Sequence, residues 1–511
     1  MSLLRSVRLH RLFAFFTRGD LLALIAGLTL PLGFAPFGFN FLPPLSLAML
    51  FRLWRDVVPA RAFRYGWIYG LGMFGGGVYW IQISIHQFGL PVLAFSVSMT
   101  VLFVAFMALY PASTGWMAAR FPCASPSCRL LVLFPALWTL SEWLRGWLFT
   151  GFPWLNLGYS QIDSPLSAFA PVIGVYGISL AVALLAGGLA MLGLRHWVGV
   201  VPFFLIGGLA WILNSEAWTQ PQGEPVEVAL MQGGIEQAVK WDPSQRQATI
   251  DHYLALTRPH WNARLVIWPE TAIPAFYSEL QDFFPVLHAE AAGHGSAMLI
   301  GVPYNPPDDR GRYYNSVIAL GMGQGRYDKR HLVPFGEYIP FGSLLRPILF
   351  FLKIPMSDFS RGDAVQPLIH AAGIPVGVSV CYEDAFGEEM IAALPAARML
   401  VNVSNDAWFG DSVAPHQHLE MARMRARETG RYLLRATNNG ITAIIDAQGR
   451  IAARAPQFIP YALVGKAQPY AGATPYVRFG NMPILLVLAA AMLVAASTGV
   501  CRFSRRAPFR V

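Results

Sequence analysis

The sequence is short of charge, of cysteine and of lysine. Only 13% of its 511 residues are Asp, Glu, Lys or Arg, about half of the roughly 25% found in soluble domains. Hydrophobic residues make up 55%, which excludes an ordinary soluble protein of this length. The apolar residues fill the first 215 positions and return near 481–500, whereas the middle of the chain has the composition of a globular domain. The composition therefore predicts a polytopic α-helical membrane bundle, a domain outside the membrane and one closing span.

Eight stretches are candidate membrane spans, since a span needs roughly 20 apolar residues. They are residues 21–36, 38–54, 66–85, 90–118, 130–148, 164–194, 198–214 and 481–500. Arginines cluster at alternate ends of these stretches, which predicts that those ends are cytoplasmic. With eight crossings, both termini are cytoplasmic. The alternative is a cleaved signal peptide at 21–37, but it lacks a small-residue cleavage site and leaves the later spans in place.

The predicted organisation is a bundle of about seven spans at 1–215, an external domain at 216–475, and a last span with a basic tail at 476–511. In the external domain, runs rich in Val, Ile and Leu alternate with helical stretches, which predicts a layered α/β domain. The predicted strands are 226–232, 264–268, 297–303, 316–320, 375–381, 399–403 and 441–445, and two predicted helices are 243–257 and 416–429. The net charge of +9 lies largely in short connectors, so nucleic acid is not an expected partner.

The four cysteines are Cys123, Cys128, Cys381 and Cys501. In the predicted topology only Cys381 lies outside the cytoplasm, so a disulfide to it would need a second chain. Cys381 is then either an inert buried cysteine or a nucleophile. It ends a predicted strand and precedes a predicted helix at 385–394, and the positive end of a helix dipole stabilises a thiolate. This position favours a reactive thiol.

Two further strand-end segments carry groups that a thiol nucleophile needs, namely a base and an oxyanion donor. Glu270 follows a predicted strand and a proline. Lys329 is one of only four lysines against 34 arginines, and a chain that retains lysine at one place can require a compact point charge there. Taken singly, either residue is also compatible with a surface ion pair.

Three ordered motifs resemble those of the nitrilase, or carbon–nitrogen hydrolase, superfamily. They are WPET at 268–271, YDKRHLVPFGEYIP at 327–340 and CYED at 381–384. Further segments narrow the resemblance to the apolipoprotein N-acyltransferase family: GFPWLNLGYSQ at 151–161, MQGGIEQAVKW at 231–241, NVSNDAWFGDS at 402–412 and RATNNGITAIID at 435–446. The resemblance covers nearly the whole chain.

The resemblance implies a nitrilase-like αββα sandwich in the periplasm, carried on a bundle in a bacterial inner membrane. Glu270 would be the general base, Lys329 the oxyanion donor and Cys381 the carrier of an acyl thioester. The donor would be a phospholipid, typically phosphatidylethanolamine, and the acceptor a diacylated apolipoprotein. Glu337 would orient Lys329 or Glu270, while Tyr382 and Glu383 would form the pocket beside the nucleophile. No cofactor or metal is implied.

Several residues keep two interpretations. Trp154, Trp241 and Trp408 match positions that are functional in the family, but tryptophan in a membrane protein is also a common interfacial anchor. The apolar segment 344–356 is either buried core or a loop that enters the outer leaflet and admits acyl chains. The histidines are expected to be structural, because their spacing fits no compact metal site: His331, His416 and His418.

Two other functions remain open from the residues alone. The first is a membrane-tethered amidase that uses the same three residues with water as acceptor. The second is a transporter or lipid-binding protein with an inactive external domain. The candidate spans 90–118 and 164–194 contain no charged residue, so no ion path is indicated.

Overall fold

The computed structural model describes residues 16–123, 125–308, 311–340 and 358–504. The segment 344–356 and the end of the basic tail lie outside the described residues. A helical region and a β-sandwich account for the described chain.

Helices dominate the first 214 residues and return at the end of the chain. In order they are α1 Arg18–Thr29, α2 Leu42–Trp54, α3 Pro59–Gly77, α4 Leu93–Met107, α5 Leu109–Arg120, α6 Phe134–Arg145, α7 Ala170–Leu192 and α8 Val201–Asn214, with a C-terminal helix Met482–Ser504. Shorter helical segments are Leu30–Gly33, Ile81–Ser84, Ile85–Gly89, Pro126–Cys128, Arg129–Leu133, Leu148–Thr150, Tyr159–Gln161, Pro165–Phe169 and Trp197–Val200. Each predicted span overlaps a helix, although α3 lies several residues earlier than the predicted 66–85.

Within the described part of the chain, three helical stretches are long and apolar enough to cross a membrane by themselves: Leu93–Arg120, Pro165–Leu192 and Trp197–Asn214. The total of eight crossings stays a prediction.

The helices pack closely where side chains are absent. A Cβ on Gly27 would lie 2.1 Å from the carbonyl oxygen of Tyr69, and one on Gly72 would lie 2.7 Å from that of Leu24. Small residues thus let α1 and α3 approach backbone to backbone.

The region at 219–472 contains two large sheets. Its strands are β1 Thr219–Pro221, β2 Val226–Gln232, β3 Leu265–Ile267, β4 Ala297–Tyr304, β5 Tyr314–Gly321, β6 Gly323–Gln324, β7 Arg326–Asp328, β8 Ile369–Ala371, β9 Ile374–Val380, β10 Met399–Ser404, β11 Leu433–Thr437, β12 Ala443–Ile445, β13 Ile451–Arg454, β14 Tyr461–Ala467 and β15 Tyr470–Gly472. One sheet has the order β14-β2-β3-β4-β5-β7 and the other β13-β12-β11-β10-β9-β8-β6, while β1 pairs with β15.

The two sheets pack face to face over an apolar core that includes Val228, Leu265 and Val401. The longer helices of this domain are α9 Arg246–Thr257, α10 Phe283–Gly293 and α11 Ala414–Thr429. Shorter segments are Gln237–Lys240, Pro243–Gln245, Arg258–His260, Tyr277–Leu280, Cys381–Ala385, Gly387–Met390, Ile391–Ala393, Asp406–Phe409 and Pro475–Phe479. Separate apolar clusters pack α9 and α10 on the first sheet and α11 on the second. The predicted α/β domain is therefore confirmed as an αββα sandwich.

Helix α11 also joins the sandwich to the helical bundle. Its Glu420 carboxylate accepts a hydrogen bond from the backbone N–H of Ala35 at 3.2 Å. Its Glu428 carboxylate accepts one from the N–H of Val175 at 2.7 Å, just after Gly174, whose φ of +63° interrupts α7. One helix therefore contacts both the second sheet and the bundle.

Candidate active site

Cys381 begins the turn that follows β9. Its φ is +55°, in the left-handed region that a non-glycine residue occupies only when surrounding contacts hold it there. Those contacts include two hydrogen bonds to its carbonyl oxygen, from Nδ2 of Asn402 at 3.2 Å and from Nε2 of His418 at 3.3 Å. Among the cysteines whose side chains are described, Cys381 is free and the other two are paired in a disulfide.

The predicted helix at 385–394 is present only as short helical segments, and the expectation of a dipole-stabilised thiolate is wrong. The chain forms three short segments instead: Cys381–Ala385, Gly387–Met390 and Ile391–Ala393. A helix of one turn has little dipole to offer a thiolate. Burial and the Glu270 carboxylate raise the pKa of the Cys381 thiol above its usual range, against the lowering effect of Lys329. The resting nucleophile is therefore a protonated thiol that needs a base.

Glu270, Lys329 and Glu337 lie together, and we call them the front cluster. Lys329 Nζ is 3.6 Å from Glu270 Oε1 and 2.9 Å from Glu337. Asn315 donates from Nδ2 to both carboxylates, at 2.7 Å to Glu270 and 2.9 Å to Glu337. Glu270 and Lys329 are buried. The predicted strand-end groups are thus brought together, and Asn315 is a contact that sequence reasoning missed.

Lys329 is held as a cation. Burial acts to lower its pKa, but the carboxylates of Glu337 and Glu270 outweigh burial and raise the pKa of Lys329 above its usual range. A permanently charged amine beside a nucleophile can stabilise an oxyanion, and it cannot serve as a base. The base must therefore be sought among the carboxylates.

A second lysine lies beside the front cluster. Lys240 is buried, and its Nζ donates to the backbone carbonyl of Glu270 at 3.1 Å. Burial lowers the pKa of Lys240 to about 8, against the raising effect of Glu270 and Cys381. The scarcity of lysine could have drawn attention to Lys240 as it did to Lys329.

Glu383 and Tyr382 tie the nucleophile turn to its surroundings. The Glu383 carboxylate accepts from the backbone N–H groups of Arg330, His331 and Val380 at 2.6, 3.0 and 2.7 Å. It thereby fixes the lysine-motif loop against the turn. Tyr382 donates from its hydroxyl to the carbonyl oxygen of Gly151 in the bundle at 2.8 Å.

The three predicted tryptophans have different environments. Trp154 is buried, donates from Nε1 to Gln417 Oε1 at 2.9 Å, and stacks on Tyr382 with ring centroids 5.8 Å apart. Trp241 and Trp408 are half-buried. A direct contact of any of the three with substrate stays a prediction.

Behind the nucleophile is a buried ionic network, which we call the rear cluster: Asp384, Asp406, His418 and Arg435. His418 is 2.8 Å from Asp384 and 2.9 Å from Asp406, and Arg435 is 2.7 Å and 3.0 Å from the same two carboxylates. Burial and Arg435 act to lower the pKa of His418, but the two aspartates outweigh them and raise it to about 9. Among the described residues, no group of three or more His, Cys, Asp or Glu is arranged to hold a metal ion.

The front cluster and Cys381 supply the parts of covalent acyl chemistry. The thiol is a nucleophile, Glu270 is a carboxylate that can accept its proton, and Lys329 can stabilise negative charge on a carbonyl oxygen. The arrangement suits attack on an ester, thioester or amide carbonyl. It does not by itself distinguish an amine acceptor from water.

Comparison with known proteins finds relatives over nearly the whole chain. Residues 26–188 match the family model of the apolipoprotein N-acyltransferase N-terminal domain, and residues 227–475 match that of carbon-nitrogen hydrolase. A protein of Methylococcus capsulatus named apolipoprotein N-acyltransferase is 49% identical over 492 residues, 95% of this chain and 96% of the relative. One of the same name from Nitrosomonas europaea is 46% identical over 478 residues, 91% and 94% of the two chains. A solved amidase from Nesterenkonia sp. aligns at 19% identity with a TM-score of 0.38, covering 53% of this chain and 99% of its own.

Proposed function

The chain belongs to the apolipoprotein N-acyltransferase family, and we propose that it transfers an acyl group from a membrane phospholipid to an apolipoprotein through a thioester on Cys381. The acceptor group is the α-amine of an N-terminal diacylglyceryl-cysteine, and phosphatidylethanolamine is the proposed donor. The observation that carries the mechanism is the buried contact of Glu270 with Lys329, whose Nζ lies 3.6 Å from Glu270 Oε1.

In the first half-reaction, Glu270 removes the thiol proton as Cys381 Sγ attacks the ester carbonyl. Lys329 stabilises the tetrahedral oxyanion. When the C–O bond breaks, Glu270 returns the proton to the departing lysophospholipid oxygen. The acyl group remains on sulfur as a thioester, and the front cluster has regained its starting protonation.

In the second half-reaction, the neutral α-amine of the acceptor attacks the thioester carbonyl. Glu270 takes the excess proton from nitrogen and delivers it to Cys381 Sγ as the C–S bond breaks. The products are an amide and a free thiol. One site therefore serves both substrates in turn, as ping-pong chemistry requires.

The setting of the site supports lipid substrates. The nucleophile turn is hydrogen-bonded to the helical region at Tyr382, and the carbonyl oxygen of Trp408 accepts from the Ser84 hydroxyl at 2.6 Å. The site therefore adjoins the bundle rather than the far end of the sandwich. The proposal includes a bacterial inner membrane, a periplasmic catalytic domain and cytoplasmic termini, which agrees with the arginine-rich connectors.

A mass measurement tests the first half-reaction. Purified full-length protein is incubated with phosphatidylethanolamine and examined by intact mass spectrometry for an acyl adduct that hydroxylamine removes. We expect the adduct on Cys381, its complete loss in Cys381→Ser, and its retention in the control Cys501→Ser. An adduct elsewhere, or transfer by Cys381→Ser, would contradict the mechanism.

The acceptor step distinguishes transfer from hydrolysis. A diacylated lipopeptide is added to the acyl-enzyme, and the products are separated. We expect an N-acylated peptide. Free fatty acid as the sole product would instead support the membrane-tethered amidase or hydrolase that the sequence leaves open.

A further inference from the structure

The helical bundle contacts the nucleophile turn directly. Between α6 and α7 the chain forms an external loop, residues 150–161, which we call the docking loop. Its Gly151 carbonyl accepts from the hydroxyl of Tyr382, and its Tyr159 hydroxyl donates to the carbonyl of Ala385 at 3.2 Å. These contacts lie one and four positions after Cys381. The bundle thus holds the turn that presents the thiol.

A second connection runs through Gln417 of α11. Its side chain is 3% exposed, and each of its polar atoms is bonded to the bundle. Oε1 accepts from Nε1 of Trp154 at 2.9 Å and from Nε1 of Trp80 at 3.3 Å, and Nε2 donates to the carbonyl oxygen of Gly77 at 3.1 Å. The Gln417 amide is therefore satisfied by atoms of the bundle.

The next residue, His418, contacts the nucleophile. Successive residues of a helix point about 100° apart, and here they connect different parts of the molecule. Nε2 of His418 lies 3.3 Å from the Cys381 carbonyl oxygen, beside its stronger bond to Asp384. Asn402 holds the same carbonyl and is itself oriented by Arg435, whose N–H donates to Asn402 Oδ1 at 2.8 Å.

These contacts hold a backbone conformation that is unfavourable by itself. A left-handed non-glycine residue persists where surrounding contacts over-determine it, and the Cys381 carbonyl has two such side-chain donors. One of these donors, His418, belongs to α11, and the residue before it, Gln417, is bonded to the bundle. Loss of the Gln417 bonds would therefore loosen α11 at the point where it supports Cys381.

We propose that Gln417 and His418 are positioning residues that couple the docked helical bundle to the backbone of Cys381. The bundle is then part of the scaffold of the nucleophile as well as the attachment to the membrane. The coupling affects catalysis on the basis of the proposed acyl transfer, but the position of the thiol can be measured without either substrate.

The test uses full-length protein and the alkylation of Cys381 by iodoacetamide from pH 6 to pH 10. The variants are Gln417→Met, Trp80→Phe, His418→Gln and the double variant Gln417→Met/His418→Gln. His416→Gln is the control, because His416 is half-buried on the same helix and lies outside the rear cluster. The thermal unfolding midpoint is measured for every variant.

Gln417→Met should lower the acyl-transfer kcat about tenfold, which corresponds to the loss of one or two buried hydrogen bonds, with the donor KM within about twofold of the wild type. Its alkylation rate at a fixed pH should change by about threefold or more, although Gln417 does not touch Cys381. Trp80→Phe, which removes one donor to Gln417, should act in the same direction but more weakly. His416→Gln should match the wild type.

The double variant tests the coupling itself. If the two residues act as one unit, the alkylation rate of the double variant should differ from that of His418→Gln by less than twofold. The reason is that the effects of substitutions within one network are not additive. Additive effects, or wild-type alkylation in folded Gln417→Met and Trp80→Phe, would overturn the proposal. If the variants change alkylation as expected but the wild-type protein transfers no acyl group, only the proposed function is contradicted.

Discussion

The front and rear clusters have similar residues but different charge balance. The front cluster has two carboxylates, Glu270 and Glu337, and one permanent cation, Lys329. The rear cluster has two carboxylates and two cations, and its side chains are 0 or 1% exposed. The front cluster has one more carboxylate than cations, and its charges shift the pKa of the Cys381 thiol. The charges of the rear cluster balance, and its His418 contacts the backbone of Cys381.

The difference in charge balance suits the front cluster to proton transfer and the rear cluster to structural support. In a buried network with equal numbers of opposite charges, removal of one partner leaves an uncompensated charge and is strongly destabilising. An excess carboxylate beside a protonated thiol is suited to proton transfer. Substitutions in the front cluster should therefore affect rate, and substitutions in the rear cluster should affect stability first.

Glu270→Gln should give the largest effect on rate. Loss of the general base should lower acyl transfer by about 10²–10⁴-fold, while the unfolding midpoint stays close to that of the wild type. Because the Glu270 carboxylate raises the pKa of the Cys381 thiol, this variant should be alkylated by iodoacetamide at lower pH than the wild type. The matched control is Glu279→Gln, at an exposed position of the same domain. An unchanged alkylation profile would contradict the electrostatic coupling.

Lys329→Met should lower acyl transfer by about 10²–10³-fold through loss of an oxyanion donor. Here the alkylation profile should move the opposite way, to higher pH, since Lys329 lowers the pKa of the Cys381 thiol. Lys466→Met, at an exposed position of β14, is the control for removal of a lysine. A shift in the same direction as in Glu270→Gln would refute the assignment of Lys329.

Arg435→Lys tests the rear cluster. The substitution keeps the charge but loses the planar fork that binds Asp384 and Asp406. We expect the thermal unfolding midpoint to fall by about 5 °C, as for a loss of a few kcal/mol, with a decrease of about tenfold in acyl transfer. Arg450→Lys, on the surface, should change neither. A stable Arg435→Lys protein with a very large loss of rate would remove the distinction between the clusters.

The last expected effect is a pH dependence of stability from His418. The folded pKa of about 9 lies above the unfolded value of roughly 6.5. The stabilisation from protonated His418 is therefore fully present below about pH 6.5 and is lost as the pH rises through about 9. Unfolding midpoints between pH 6 and pH 10 should fall more steeply for the wild type than for His418→Gln. Parallel curves would show that His418 does not titrate in this way.

Much of the sandwich could be predicted from local sequence. The predicted strands overlap β2, β3, β4, β5, β9, β10 and β12, because short runs of branched apolar residues identify buried strands. Strands β11 and β14 were not predicted by this criterion, for physical reasons. The middle of β11 is Arg435, which is buried by ion pairs, and β14 is an edge strand with several exposed residues.

The candidate site was partly predictable for the same reason. Glu270, Lys329 and Cys381 follow strands in recognisable motifs, and the structure assembles the first two with Glu337. Asn315 lies near the start of β5 with no local mark of its role, and Lys240 belongs to a one-turn helix. Their places in the site depend on contacts with Glu270, which lies 45 and 30 positions away.

The sequence by itself determined the presence of an apolar helical region and, through the resemblance of its ordered motifs to a family, the expected acyl-transfer chemistry. The first conclusion depends on composition and the second on short motifs, and both are local properties of the chain. Only the tertiary structure showed that burial raises the pKa of the Cys381 thiol, that the Glu383 carboxylate binds three backbone N–H groups, and that His418 and the docking loop contact the nucleophile turn. These properties arise from burial and from contacts between distant segments, which leave no local pattern in the sequence.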